Sequence, residues 1–239
     1  MHIDLWADVA CPWCYLGINH FRKALAEFEH RDEVEVLAHA WFIDPELDAT
    51  SEGTWADYLQ DAEGMSADDV PKFYHRLQGL GDETGVRFDF DHLVVTGSSN
   101  AHRVIAAARD FDAENGTTTG ADTTQLKLIE AIDRSHFEMG LDISTPEVLV
   151  GCAQDVGLPA ERAVAALADP GLASEVFSDF QVGAQMGIEG VPTFLVERQF
   201  VFSGAQPVKA FANALETAWQ QTQQDQQTQQ DQQTPGGNE

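Results

Sequence analysis

Two cysteines separated by a proline and a tryptophan lie near the start of the sequence, in the segment ACPWCYLG that contains Cys11 and Cys14. A thiol becomes a nucleophile when it loses its proton, and the free N–H groups and partial positive charge at the start of a helix favour that loss. At this spacing on a helix the two Cβ atoms lie about 5 to 6 Å apart, a small adjustment from disulfide geometry. The pair could therefore open and close a disulfide, with Cys11 attacking a substrate disulfide and Cys14 resolving the mixed disulfide.

Three neighbours of the cysteines could tune this chemistry. Pro12 suits the first turn of a helix, where its missing N–H would be unpaired anyway. Trp13 offers an apolar, partly exposed surface beside the sulfur and is a candidate substrate contact. Asp8 could oppose a Cys11 thiolate or relay a proton, although an acidic residue at the end of a strand is more typical of a solvated turn.

The same cysteine spacing is half of many zinc sites, so a protein whose cysteines serve only as metal ligands is an alternative. The sequence has no second Cys-x-x-Cys and no His-x-x-x-His pair, and its eight histidines are scattered. We therefore expect no metal site. Cys152 lies on a helical stripe, which indicates a small buried apolar residue rather than a third redox thiol.

A second candidate part of the site is the segment GVPTF, residues 190–194. A proline that starts a strand just after a glycine is more often trans, yet X-Pro bonds are the ones that tolerate the cis form. If the loop lies beside the cysteines, a cis bond before Pro192 would leave the backbone of Val191 free to pair with an extended peptide.

Apolar periodicity predicts an α/β fold around these motifs. Residues 2–9 and 34–42 alternate in polarity as strands do, and a helical stripe begins at Pro12 between them. The order strand, helix, strand predicts a βαβ unit with parallel strands. Later in the chain, TFLVE and FVFSG flank two polar residues like a hairpin, and Pro207 opens a last helix.

The same patterns divide the chain into four parts. Residues 1–50 and 187–219 are expected to form the two halves of one α/β domain, and residues 51–186 a large helical insertion. Residues 220–239 contain the repeat TQQDQQ twice and no apolar side chain. Such a segment does not offset its ordering entropy by burial, so we expect a disordered glutamine-rich tail.

The charge balance limits the partners of the protein. Thirteen basic and forty acidic residues give a net charge of −27, which argues against nucleic acid and anionic membranes. Only four of the basic residues are lysines, which favours adaptation to a salt-rich cytoplasm over a merely solvated acidic surface. With three cysteines, no readable signal peptide and no apolar run of about 18 residues, the sequence predicts a soluble cytoplasmic protein.

The sequence resembles the DsbA-like branch of the thioredoxin superfamily, specifically its FrnE-like group with a helical insertion. The resemblance is carried by CPWCYLG, by NAHR at 100–103, by FEMGLDIS at 137–144 and by GVPTFLV followed by FSGAQ. It implies a thioredoxin-like fold and a thiol-disulfide oxidoreductase or isomerase that needs no cofactor and acts on disulfide-containing proteins or small thiols. In that case Cys11 is the nucleophile, Cys14 resolves, and Pro192 is cis beside them.

Two points remain open within this resemblance. His102, in the NAHR segment, could line a substrate cleft or make a structural hydrogen bond. Kappa-class glutathione transferases and 2-hydroxychromene-2-carboxylate isomerases share the inserted architecture but usually carry serine at the position of Cys11. The presence of both cysteines favours dithiol chemistry, and a glutathione-dependent transferase or isomerase is the enzymatic alternative.

The acidic composition predicts that salt stabilises the fold. Repulsion among the excess carboxylates destabilises the compact state in dilute buffer, and screening relieves that repulsion. We expect the melting temperature to rise between low and molar potassium chloride, as measured by thermal unfolding. Equal melting temperatures at both salt concentrations would contradict the halophilic interpretation.

Overall fold

The first strand and helix follow directly from the apolar pattern. β1 (His2–Ala7) buries Ile3 and Leu5 completely, and α1 (Pro12–Glu27) follows it after a short turn. α1 leads into β2 (Glu35–Ala40), which pairs with β1 in parallel, so the predicted βαβ unit is confirmed. These elements belong to a computed structural model that describes residues 1–47 and 50–233.

Two later strands complete a mixed sheet. β3 (Thr193–Val196) runs antiparallel to β1, and β4 (Phe200–Ser203) runs antiparallel to β3, giving the strand order β2-β1-β3-β4. In the turn between them, Glu197 and Arg198 have φ angles of 51° and 55°. Positive φ at consecutive turn residues matches the twist of the flanking strands, which explains a hairpin without an Asn-Gly signal.

The described residues between β2 and β3 form helices joined by loops, of which residues 83–98 are a long one, and Thr119 makes an isolated bridge with Glu35 of β2. Its helices are α2 (Trp55–Asp61), α3 (Val70–Asp82), α4 (Ser99–Asn115), α5 (Thr124–Phe137), α6 (Pro146–Asp155), α7 (Ala160–Ala168) and α8 (Pro170–Gln185). The expected α/β fold with a large helical insertion is therefore confirmed. A last helix, α9 (Val208–Gln233), follows the hairpin.

One core joins the sheet to the inserted helices. The largest cluster of buried apolar side chains includes Leu5 in β1, Phe21 in α1, Ile132 in α5, Leu149 in α6 and Phe211 in α9. A second cluster lies under α2 and α3. Helices α4 to α7 thus share the core of the sheet, whereas α2 and α3 pack on the second cluster, which also contains Tyr15 and Leu16 of α1.

The face of the sheet opposite α1 contacts α8 through a network of charged side chains. His39 in β2 places Nδ1 2.7 Å from Asp179 of α8 and Nε2 2.9 Å from Asp4 of β1. The indole of Trp6 stacks on the His39 ring at 4.4 Å between centroids. Burial alone would lower the pKa of His39, but the two carboxylates outweigh burial and raise the pKa to about 9.

The C-terminal segment differs from the expectation of disorder. α9 continues as far as Gln233, and only residues 234–239 of the predicted tail lie outside the described residues. Glutamine is a good helix former, and extending a helix that Phe211 and Leu215 already anchor in the core avoids the cost of nucleation. Side-chain bonds such as that from Gln220 to Glu216, 2.6 Å long, add to this.

The backbone of α1 lies very close to the loop before β3, and this contact allows a test of the packing. A Cβ at Gly17 would lie 2.7 Å from Cγ of Pro192 and 3.2 Å from Cα of Ala205. We expect Gly17→Ala to lower the free energy of unfolding in urea, because overpacking costs about 1 to 3 kcal/mol and the helix-propensity gain is at most about 1 kcal/mol.

Gly151 in α6 is the matched control, since a Cβ there meets no atom within 4 Å. Gly151→Ala should raise the free energy of unfolding by up to about 1 kcal/mol. The same gain for Gly17→Ala would mean that α1 and the Pro192 loop are not in close contact.

Candidate active site

Cys11 lies where β1 has ended and α1 begins. It is the residue before the first helical turn, with extended backbone angles, and its carbonyl oxygen accepts the first bonds of the helix, 2.9 Å from the N–H of Cys14 and 3.2 Å from that of Tyr15. Its side chain is 7% exposed. The partial positive charge at the start of a long helix thus lies beside a sulfur that is nearly covered yet borders an open cleft.

Cys14 lies one turn further along α1 and is completely buried. Its Sγ accepts a hydrogen bond from the backbone N–H of Asp8 at 3.4 Å. Burial, the hydrogen bond with Cys11 and the negative charge on Cys11 raise the pKa of Cys14 well above its usual range. Both cysteines are free thiols in this structure, and their surroundings differ as those of a nucleophile and a buried second thiol would.

Asp8 is a buried carboxylate directly behind the two cysteines. It accepts hydrogen bonds from the backbone N–H groups of Ala10 at 3.0 Å and Ile43 at 2.8 Å. Nε2 of His102 lies 3.5 Å from Asp8 and 3.0 Å from the carbonyl oxygen of Trp41. Burial alone would raise the pKa of Asp8, but these partners outweigh burial and lower it, so the carboxylate is charged.

A second buried acid, Asp133 of α5, is placed very differently. It is 1% exposed, and neither of its oxygens has a hydrogen-bond partner in the described residues. Burial and the negative charges of Cys11 and Asp8 raise its pKa well above the usual range. One turn later, burial lowers the pKa of His136 to about 4, although its Nδ1 lies 3.3 Å from the carbonyl oxygen of Leu141. His136 is therefore uncharged at neutral pH, and the Asp133 carboxyl keeps its proton to a higher pH than an exposed aspartate does.

The loop before β3 reaches α1 beside the cysteines. The Val191–Pro192 peptide bond is cis, and the Pro192 ring lies against Gly17, one and a half turns along α1 from Cys11. Among the described residues, neither the N–H nor the carbonyl oxygen of Val191 makes a hydrogen bond to another protein group. The loop thus borders the cysteines and offers an unpaired peptide group.

Cys11 opens into a cleft of about 310 Å³ between this loop and α2 and α3. The walls of the cleft are mostly aromatic and aliphatic: Trp13, Trp41, Ile43, Trp55, Leu59, Met65 and Phe73. Trp13 itself is half-buried, with its ring centroid 6.0 Å from that of Phe73 in an edge-to-face contact and the guanidinium of Arg76 5.1 Å from its ring centre. Among the described residues, the charged ones that border the cleft are Glu63 and Glu189, so an apolar group beside the Cys11 sulfur suits this space.

The structure brings together most of the residues that the sequence singled out. Cys11, Trp13 and Val191 border one cleft, and Pro192 lies against α1 nearby. His102 instead is buried against Asp8 and Trp41 and does not line the cleft. Cys152 is buried in α6 with its Sγ 3.2 Å from Oγ of Ser135, away from the cleft.

Sequence reasoning missed Asp133 and His136. The signal was present, because Leu126 and Ile129 define a buried stripe on α5, and Asp133 follows Ile129 by four residues on that stripe. His136 follows Ile129 by seven residues in the same way. A polar residue at a core position of an amphipathic helix is itself an indication of a functional site.

No three His, Cys, Asp or Glu side chains of the described residues are grouped so that they could hold a metal ion. Within the same part of the chain, no helix is long and apolar enough to cross a membrane.

The unpartnered Asp133 predicts a pH-dependent gain from its removal. Its raised pKa means that the folded protein binds the proton more tightly than the unfolded chain does. Stability is therefore lost as pH rises above about 4, by up to about 1.4 kcal/mol per pH unit. Asp133→Asn removes this loss, so the free energy of unfolding of the variant should exceed that of the wild type. We expect this difference to grow between about pH 5 and about pH 8, as measured by urea unfolding at each pH.

The exposed Asp155 provides the matched control, since Asp155→Asn makes the same change in net charge without touching the core. A margin that does not change with pH, or one that Asp155→Asn reproduces, would contradict the placement of Asp133.

Solved structures of several known proteins are similar to this chain over nearly its whole length. A solved structure of a probable DsbA oxidoreductase from Streptomyces coelicolor is 33% identical, covers 92% of this chain and 90% of that chain, and superposes with a TM-score of 0.77. The cytosolic disulfide reductase DsbM from Pseudomonas aeruginosa, solved with GSH, is 21% identical, with coverage of 92% and 100% and a TM-score of 0.64. A 2-hydroxychromene-2-carboxylate isomerase is 13% identical, with coverage of 94% and 98% and a TM-score of 0.60. The last two likenesses show the fold alone.

No protein of curated function matches the chain. The profile of the DSBA-like thioredoxin domain, however, matches residues 2–216, which include both cysteines, all the inserted helices and the hairpin. The chain therefore belongs to the DsbA-like thioredoxin family and is an enzyme of the disulfide oxidoreductase class.

Proposed function

We propose that this enzyme exchanges disulfides through a mixed disulfide on Cys11, which Cys14 resolves. The observation that carries the proposal is the contrast between the two thiols: Cys11 borders an open cleft at the positive end of α1, and Cys14 is sealed one turn behind it. A nucleophile must reach its substrate, whereas a resolving thiol must reach only the first sulfur.

The reaction conserves sulfur, protons and electrons in two exchanges. The Cys11 thiolate attacks one sulfur of the substrate disulfide, so a bond from Cys11 to that sulfur forms and the substrate S–S bond breaks. The leaving sulfur departs as a thiolate and takes a proton from water. Cys14 then loses its proton and attacks Sγ of Cys11, which releases the second substrate thiol and leaves a disulfide between Cys11 and Cys14. The substrate is reduced and the enzyme oxidised, and the reverse sequence oxidises a dithiol.

The surroundings of Cys14 favour one order for the two thiol-disulfide exchanges. A negative charge on Cys11 is among the causes that raise the pKa of Cys14, so Cys14 stays a thiol while Cys11 is the free nucleophile. Formation of the mixed disulfide removes that charge and the hydrogen bond between the two sulfurs. The Cys14 thiolate then becomes less costly at the moment when it is needed.

Family membership indicates that the enzyme acts on disulfides or thiols, but it does not identify the molecule that carries them. We propose that the enzyme works in the cytoplasm. The low count of three cysteines supports this location, as does the DsbM likeness, a cytosolic reductase.

Trapping tests the two roles of the cysteines. Reduced protein is mixed with hydroxyethyl disulfide, and the adducts are identified by mass spectrometry of peptides. The wild type should release both halves of the disulfide as thiols and form a bond between Cys11 and Cys14. Cys14→Ser should release one half and keep the other on Cys11, and Cys11→Ser should react at least about tenfold more slowly, because neither of its remaining cysteines borders the cleft.

Cys152→Ser is the control and should behave as the wild type. An adduct that forms first on Cys14 would contradict the assignment of the nucleophile. A glutathione-dependent rate on an aromatic substrate that survives Cys14→Ser would instead favour the transferase or isomerase chemistry.

A further inference from the structure

Trp13, which lies between Pro12 and Cys14, joins the two apolar clusters of the molecule. Its side chain packs against the cluster that contains the sheet and also against the cluster under α2 and α3. It borders the cleft of Cys11 and is only half-buried. The position of this ring therefore affects the space in which a substrate meets the Cys11 sulfur.

Two side chains of α3 contact the Trp13 ring. Phe73 meets it edge to face, and the guanidinium carbon of Arg76 lies 5.1 Å from its ring centre. Residues three apart on a helix lie on the same face, so α3 presents both groups to the ring together. The negative face of an indole attracts a cation, and the planar guanidinium of arginine is suited to stacking on it.

Arg76 has no competing partner in the described part of the chain. It makes no hydrogen bond and no ion pair there, and its side chain is exposed. The chain has forty acidic residues, and Arg22, Arg109 and Arg162 each pair with a carboxylate. An arginine that contacts an indole instead, in so acidic a protein, indicates that the ring is its binding partner.

The cleft beside the ring leaves the indole room to move. Its volume is about 310 Å³, and both Trp13 and Cys11 border it. An indole turned into the cleft would occupy space that a substrate needs beside Cys11. A contact that holds the ring against α3 therefore keeps the nucleophile accessible.

We propose that Arg76 is a positioning residue that holds the Trp13 indole against α3 and keeps the cleft beside Cys11 open to a substrate disulfide. The inference rests on the proposed function, in which Cys11 is the nucleophile. Arg76 acts through Trp13, since it does not itself border the cleft. The inserted helix α3 thereby controls access to a cysteine that belongs to α1.

The test compares two substitutions of Arg76 on two small disulfides. Arg76→Met keeps the aliphatic stem, and Arg76→Lys keeps the positive charge. The substrates are neutral hydroxyethyl disulfide and the dianion dithiodipropionate, which are similar in size. We expect Arg76→Met to slow exchange of the reduced protein with both disulfides by about three- to fivefold, the scale of one exposed cation–π contact. Arg76→Lys should lose less.

Fluorescence provides a measurement that does not depend on the exchange reaction. The Trp13 signal is the difference between each protein and the same protein carrying Trp13→Leu. Time-resolved anisotropy of this signal should decay faster in Arg76→Met than in the wild type, because the indole is less restrained. A change elsewhere in the fold would not be confined to the Trp13 signal.

A double-mutant cycle shows whether Arg76 acts through the ring. In the Trp13→Leu background, Arg76→Met should change neither exchange rate. Arg87→Met is the matched control, because Arg87 is exposed, does not border the cleft and contacts no aromatic ring among the described residues. It makes the same change in net charge and should leave the rates and the anisotropy unchanged. Melting temperatures establish that every variant is folded.

Several results would overturn the proposal. These are unchanged rates or anisotropy in Arg76→Met, an equal loss in Arg76→Lys or in Arg87→Met, and the same loss when Trp13 is replaced by leucine. A loss confined to dithiodipropionate would instead assign Arg76 to binding a carboxylate of the substrate. Failure of the wild type to react with either disulfide would refute the proposed function, whereas the anisotropy would still test the contact between Arg76 and Trp13.

Discussion

Contact between α1 and the loop before β3 is the constraint on which the site depends. The Pro192 ring reaches α1 only because residue 17 has no side chain, since any Cβ there would overlap the ring. This contact sets the width of the cleft beside Cys11 and the position of the Val191 peptide group. It also makes the loop one border of that cleft, so a single glycine helps to position the surface that faces Cys11.

The chemistry depends on how negative charge is distributed behind the cysteines. Asp8 keeps its charge because two backbone N–H groups and His102 surround it, whereas Asp133 has no hydrogen-bond partner in the described part of the chain and its pKa is raised. The pKa values of two carboxyl groups near the same thiols are therefore shifted in opposite directions. The negative charge of Asp8 opposes ionisation of Cys14.

Sequence patterns predicted the local parts of this structure. The strand before Cys11, the helix opened by Pro12 and the hairpin after Pro192 each follow from short-range periodicity and turn chemistry. The burial of Asp133 could have been predicted from the apolar stripe of α5, on which it lies. The path of α8 across the sheet depends on tertiary packing, which a linear pattern does not contain. The glutamine-rich segment was predicted from composition alone, without weighing a helix that enters it already formed.

His39 gives the acidic protein a fixed internal cation. With a pKa of about 9 it is protonated at neutral pH, and it holds Asp4 of β1 and Asp179 of α8 together on the face of the sheet opposite α1. Because its folded pKa lies above its unfolded value of about 6.5, this stabilisation is complete below that pH and is lost as pH rises towards 9. The junction holds between the pH at which the two carboxylates are protonated and the pH at which His39 loses its proton. The attachment of α8 to the sheet therefore weakens on the alkaline side of neutrality, where only its apolar contacts with residues such as Phe42 are unchanged.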